Sequence, residues 1–112
     1  MSVDSKLQTA LTPLGVPVSP NLYQGEAIEY ITTNYNTLPE VFADRAPNAA
    51  RYIVQVHYML PTGKNPNSMI GQISSALWSA GFTWPSVVNA ADDDGQHYVL
   101  ECEYADGGSR YG

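Results

Sequence analysis

Residues 51–60 read Arg-Tyr-Ile-Val-Gln-Val-His-Tyr-Met-Leu. Tyr52, Val54, Val56, Tyr58 and Leu60 fall on one parity, and Arg51, Ile53, Gln55, His57 and Met59 on the other. A period of two in a run this rich in β-branched and aromatic side chains predicts a long strand with one well-buried face. Pro61, Gly63 and Pro66 stop it abruptly. Whatever fold the chain adopts must lay an apolar layer on the even-numbered face of this strand.

Two amphipathic helices can supply that layer. Val3, Leu7, Leu11 and Leu14 recur at helical spacing; Ser2 or Asp4 is placed to cap the start, and Pro13 and Gly15 end the helix. Asn65 is the expected N-cap of a second helix with Pro66 at its first position, where the missing N–H costs nothing. Met69, Ile70, Ile73, Ala76, Leu77 and Ala80 mark its buried face, and Gly81 is its expected left-handed terminator. Val16–Val18 is short and bounded by proline, an edge strand if it pairs. Residues 27–36 are β-prone, but Ile28 and Tyr30 share one parity and Ile31 and Tyr35 the other, so a bulge or burial on both faces is expected. Residues 37–50, with Pro39 and Pro47, read as a long excursion. Residues 82–90 form a strand that Pro85 pushes towards an edge or a bend. Asp92-Asp93-Asp94-Gly95 is a tight turn, and 97–104 is the last strand, with Tyr98, Leu100, Cys102 and Tyr104 on one face. The order α-β-β-β-α-β-β gives an α+β fold: a single, mostly antiparallel sheet of four to five strands with both helices on one face.

At 112 residues the chain is one domain, with a folded core over 3–104 and a Gly-rich flexible tail over 105–112. Its net charge of −6, from 11 acids and 5 bases, is the wrong sign for gripping nucleic acid. One cysteine excludes an internal disulfide and fits a reducing compartment. No apolar run approaches membrane-spanning length, and no basic-then-apolar leader opens the chain, so neither a span nor a secretion signal is expected. Charged residues make up only 14% of the chain, so a surface rich in Tyr, Asn, Ser and Thr suits protein contacts or is simply solubilised by neutral groups.

Signals for chemistry are weak. Cys102 lies among inward-facing Leu100 and Tyr104 and reads as a small hydrophobe. His57 and His97 could pair with Cys102 or an acid, but His57 sits on the more exposed parity of its strand. The Asp92–Asp94 run with Glu101 resembles a calcium loop only until Gly95 is aligned, which leaves Ala90 where the first acid is needed. Glu101 and Glu103 read as a solvated strand face. No catalytic residue, cofactor or metal site is expected, and the chain is not expected to be an enzyme. Candidate protein contacts are Glu40, Phe42, Asp44 and Arg45 in the long loop, Lys64 in the loop over 61–66, and Trp78. Trp78 follows Leu77 and so lies off the buried stripe. It is either an exposed anchor or, with Trp84, a core group closing the sheet edge.

The elements "GVPVSPNLYQG", "IEYITTNYN", "RYIVQVHYML", "NSMIGQISSALWSAGFTW" and "HYVLECEY", in this order after a short helix, resemble the tail-completion, or tail-terminator, proteins of long-tailed bacteriophages and prophages. The resemblance covers roughly 3–104 and is closest from Tyr52 to Phe82. Pro85 departs from the family's pattern. The resemblance implies a structural virion protein, made in the host cytoplasm, that forms a homo-oligomeric, hexameric ring at the head-proximal end of the tail tube and stays monomeric until a tube end templates it. Its implied partners are copies of itself, the tail tube protein and the head-closure or connector protein. It implies no catalytic residues. Six copies would carry about 36 formal negative charges, which lets DNA pass through a lumen without being held and makes no use of a membrane. The alternative expectation is a small ferredoxin-like ligand-binding or dimerisation module with a pocket lined by Tyr30, Tyr52 and Tyr58.

Overall fold

A computed structural model describes residues 2–39, 50–93 and 95–106. Helix α1 spans Val3–Leu11, and Ser2 is its cap: the Ser2 hydroxyl oxygen accepts from the Ser5 N–H at 3.1 Å. A 3-10 turn, Thr12–Leu14, follows and ends at Gly15, whose φ of +89° favours glycine. Val3, Leu7 and Leu11 are buried, whereas Leu14 belongs to the turn and is only partly covered.

Five strands make one sheet in the order β1-β2-β3-β5-β4: β1 Val18–Pro20, β2 Tyr30–Pro39, β3 Ala50–Leu60, β4 Ser86–Asn89 and β5 Gln96–Asp106. Only β1 and β2 run parallel. The α+β fold and the element order are therefore those the sequence predicts. Helix α2, Asn67–Ser79, connects β3 to β4, and β5 slots between those two strands.

The two faces of the sheet follow the parity of β3. Val54, Val56, Tyr58 and Leu60 are buried with Ile31, Leu100 and Cys102 in one cluster that also takes Leu7 and Leu11 of α1 and Ile73 and Leu77 of α2. Both helices thus share one face. On the opposite face Ile53, Gln55, His57 and Met59 are half-buried. Among the described residues no helix covers them.

The ends of the helices and strands obey local chemistry. The N-cap of α2 is Pro66, with helical angles and no side-chain cap, one residue after the expected cap Asn65; the Asn65 side-chain oxygen still accepts from the Asn67 N–H at 2.9 Å. At the other end the Gly81 N–H donates to the Trp78 carbonyl and the Phe82 N–H to the Leu77 carbonyl. With Gly81 at φ +99° this is a Schellman closure, and its flanking apolar pair, Leu77 and Phe82, is fully buried.

Several boundaries differ from the expected ones. β1 starts at Val18, with the Pro17 carbonyl accepting from the Ile31 N–H. β2 begins three residues later than expected and runs to Pro39, because β3 offers ladder partners back to Ala50. Its ladder is unbroken, and Ile31, Thr32 and Thr33 are all buried, so two-sided burial rather than a bulge explains its irregular alternation. Phe82 is core rather than strand, since the Schellman closure turns it inward, and Pro85 confines β4 to four residues. β5 extends to Asp106, two residues past the expected end of the folded core, because β3 pairs with it throughout.

Candidate interaction surface

Tyr58 is fully buried, yet it carries a hydroxyl that must find a partner. It donates to the Glu29 carboxylate, and Lys64 Nζ reaches the other carboxylate oxygen at 2.6 Å. These hydrogen bonds, from Lys64 foremost and then Tyr58, hold Glu29 below the usual carboxylate range. Burial, then the Glu29 contact, pushes the Tyr58 phenol up. Gln96 Nε2 also donates to the carbonyls of Pro61 and Lys64, both at 2.8 Å. The loop over 61–66 is therefore tied to β5 and to Glu29, and Lys64 is already engaged. A carboxylate whose folded value is depressed stabilises the fold above its ordinary value and loses that contribution as pH falls through the folded value. The expected result is a drop in Tm on acidification below about pH 4.5 that is smaller in Glu29→Gln than in the parent, measured by thermal melts across pH. Tyr58→Phe should cost about 1–3 kcal/mol at neutral pH.

Trp78, one of the candidate contact residues, is 45% exposed in the last turn of α2. Trp84, weighed as a possible core partner for it, is 57% exposed and lies two residues before β4. β4 itself reads Ser-Val-Val-Asn, is exposed along its whole length, and leaves Val88 60% open to solvent. It is an edge strand carrying no charge, proline or bulge. Natural sheets ordinarily protect an edge with one of these. The other edge is protected: Pro17 and Pro20 flank or occupy β1, which is three residues long. Beyond β1, the connection to β2 exposes Leu22 (67%) and Ile28 (73%). Exposed apolar side chains thus lie at both edges of the sheet, Trp84, Val87 and Val88 at β4 and Leu22 beside β1, whereas Ile28 lies over the end of β3 and β5 with Met59 and His97. Reading the sequence alone missed Val87, Val88, Leu22 and Ile28. Pro85 was the available signal that the strand after it lies at an edge.

On the helix-free face His57 and His97 meet each other, not Cys102 or an acid. His57 Nδ1 and His97 Nε2 are 2.8 Å apart, and Asn34 Nδ2 stands 3.3 Å from His57 Nε2. Burial, and then the neighbouring His97, lowers the His57 pKa. Further along the face Gln55 donates to Glu101 at 3.2 Å, and Arg51 Nε lies 3.6 Å from Glu103. A cleft of about 440 Å³ opens at the near end of this face, lined by Ile28, Tyr30, Met59, Asp92, Gln96 and His97 among others. Tyr30 opposes Met59 on this face, whereas Tyr58 and Tyr52 lie on the helix face, so the sheet separates the three tyrosines and they line no common pocket. Cys102 is buried, and its thiol is pushed up to about 12 by burial and then by Glu101 and Glu103, which keeps it protonated and poorly nucleophilic. Asp92 and Gly95 close the expected tight turn through paired backbone hydrogen bonds. Among the described residues no three His, Cys, Asp or Glu side chains converge to hold a metal, and no helix is long and apolar enough to cross a membrane.

Glu40, Phe42, Asp44 and Arg45 lie outside the described residues. No protein-family model matches the chain. No curated protein sequence matches it either.

Proposed function

We propose that this protein is a structural virion component, a tail-completion or tail-terminator protein that works by closing a ring of its own copies at the head-proximal end of a phage tail. The observation that carries the self-assembly part of this reading is the pair of apolar patches at opposite edges of the sheet. A cyclic ring needs two different, complementary patches on each subunit, so that each copy meets the next head to tail. The uncharged β4 edge with Trp84, Val87 and Val88 supplies one patch, and Leu22 beside β1 supplies the other. In a chain of net charge −6, a contact strand without charge avoids like-charge repulsion between copies. The resemblance of the element order and of the central helix to the tail-completion family supplies the place in the virion. The tail tube below and the connector above are the partners this place requires, and an acidic ring around DNA lets it slide.

Light scattering of the purified chain, with and without isolated tail tubes, tests the reading. The expected result is a monomer or small oligomer alone and a ring-sized mass bound to tube ends when tubes are present. A free dimer that ignores tubes would favour a dimerisation module instead.

A further inference from the structure

The helix-free face of the sheet gathers three soft or borderline metal donors that belong to no assembly contact described above. His57 and Met59 point to the same side of β3, two residues apart, and His97 of β5 is the direct cross-strand partner of Met59. The two imidazoles already face each other, with His57 Nδ1 and His97 Nε2 2.8 Å apart and ring centroids separated by 5.1 Å. All three side chains are only half-buried, and Met59 and His97 line the open cleft, so an ion has a path from solvent.

From these positions we infer that His57, His97 and Met59 form a binding site for a single copper ion, held in the cuprous state by two imidazole nitrogens and one thioether. Imidazole accepts copper, nickel and zinc alike, but a thioether selects copper(I) over the harder divalent ions. Zinc or nickel at this place gains two useful protein ligands and copper(I) gains three. An ion about 2.0 Å from each nitrogen in a trigonal arrangement sets them roughly 3.4 Å apart. The rings must therefore open by about half an ångström from their hydrogen-bonded spacing, a small rotation for half-buried side chains on an open face.

The protons balance without an external base. Each neutral imidazole carries one hydrogen before and after binding. The ring that supplies the hydrogen shared between them gives it up to water and takes one back from water on its far nitrogen, so that His57 ends with its hydrogen on Nε2 and His97 with its hydrogen on Nδ1. Asn34 is placed to receive the first: its amide lies 3.3 Å from His57 Nε2 and accepts once its oxygen faces the ring. A ligating histidine characteristically donates its far N–H to such a carbonyl, which fixes the tautomer. Asn34 is thus a positioning residue for His57, and it distinguishes this pair from two histidines that merely touch.

Copper(I) titrated into the full chain under reducing conditions, in competition with bicinchoninate, tests the site. The expected result is one equivalent bound. His97→Gln should weaken binding at least about 100-fold, Met59→Leu should weaken copper(I) binding about 10-fold while leaving zinc binding within about twofold, and Asn34→Ala should weaken it about 10–100-fold. Cys102→Ser controls for the chain's one thiol and should change nothing. Failure to compete with the chelator, binding unaffected by His97→Gln, or binding lost in Cys102→Ser would each overturn the assignment. X-ray absorption of the copper-loaded parent gives a readout independent of variant folding: two nitrogens and one sulfur around copper are expected, and a shell without sulfur would overturn the role of Met59.

Discussion

Phe82→Ala is expected to cost about 3–5 kcal/mol, the range for emptying a fully buried aromatic site. Domains of this size are stable by only about 5–15 kcal/mol in total. A fall in Tm of roughly 15 °C or more, or failure to fold at 37 °C, should therefore appear in a thermal melt. The cost is large because Phe82 joins the end of α2 to β5. Its N–H closes the end of α2 on Leu77, and its ring lies 5.1 Å from that of Tyr104 on β5. The next residue, Thr83, donates its N–H to the Glu103 carbonyl and accepts from the Glu103 N–H. Gly81→Ala is the informative contrast. A Cβ there would meet only Tyr104 at 3.7 Å, an ordinary contact, so its cost comes from the φ of +99° alone and should be about 1–2 kcal/mol. If Phe82→Ala proved as mild as Gly81→Ala, the cluster around Phe82 would not be the tight core described.

The second large effect concerns assembly rather than folding. Val88→Lys places a charge on the undefended edge and should reduce self-association and tube-end binding at least tenfold, while leaving Tm within a few degrees, because surface changes typically stay within about 0.5 kcal/mol. Leu22→Lys, at the other edge of the sheet, should do the same. The pair separates two modes of association. A head-to-tail ring needs both patches, so either substitution breaks it. A two-fold dimer built by pairing β4 with β4 needs only the first, so Leu22→Lys would leave it intact. Sedimentation velocity of both variants, read against the parent, decides between them. If neither change reduces association, the edges are not the contact.

How much of this was legible beforehand follows from what each feature depends on. The second helix was legible to within a residue because Asn65, Pro66 and Gly81 act locally: a side-chain acceptor, a proline at the helix start and a left-handed terminator do not depend on what the rest of the chain does. The faces of β3 were legible because the strand alternates without a break. Trp78 was recognisable as lying off the buried stripe because adjacent helical positions point about 100° apart. The register between distant strands was not legible. His57 and His97 are neighbours only because β3 and β5 pair so that Met59 opposes His97, and a shift of two residues would part them. Pro85 pointed to an edge position for the strand after it, but that β5 enters between β3 and β4 is an arrangement that no local pattern encodes. Phe82 misled because an aromatic beside Thr83 and Trp84 reads as strand, whereas the helix closure captured it first.

The insertion of β5 between two strands made before it bears on how a nascent chain behaves on the ribosome. Until residues beyond Gln96 have left the exit tunnel, β3 has a partner on one side only and β4 has none, since all of its pairing is to β5. Synthesis thus delivers the closing strand after the other four strands of the sheet. Throughout that interval the apolar faces of Val54, Val56 and Leu77 lack the cover that Leu100 and Cys102 complete, so holdase chaperones would find their binding sites on the growing chain, and an mRNA truncated before the codon for Gln96 would yield an aggregating fragment rather than a smaller domain.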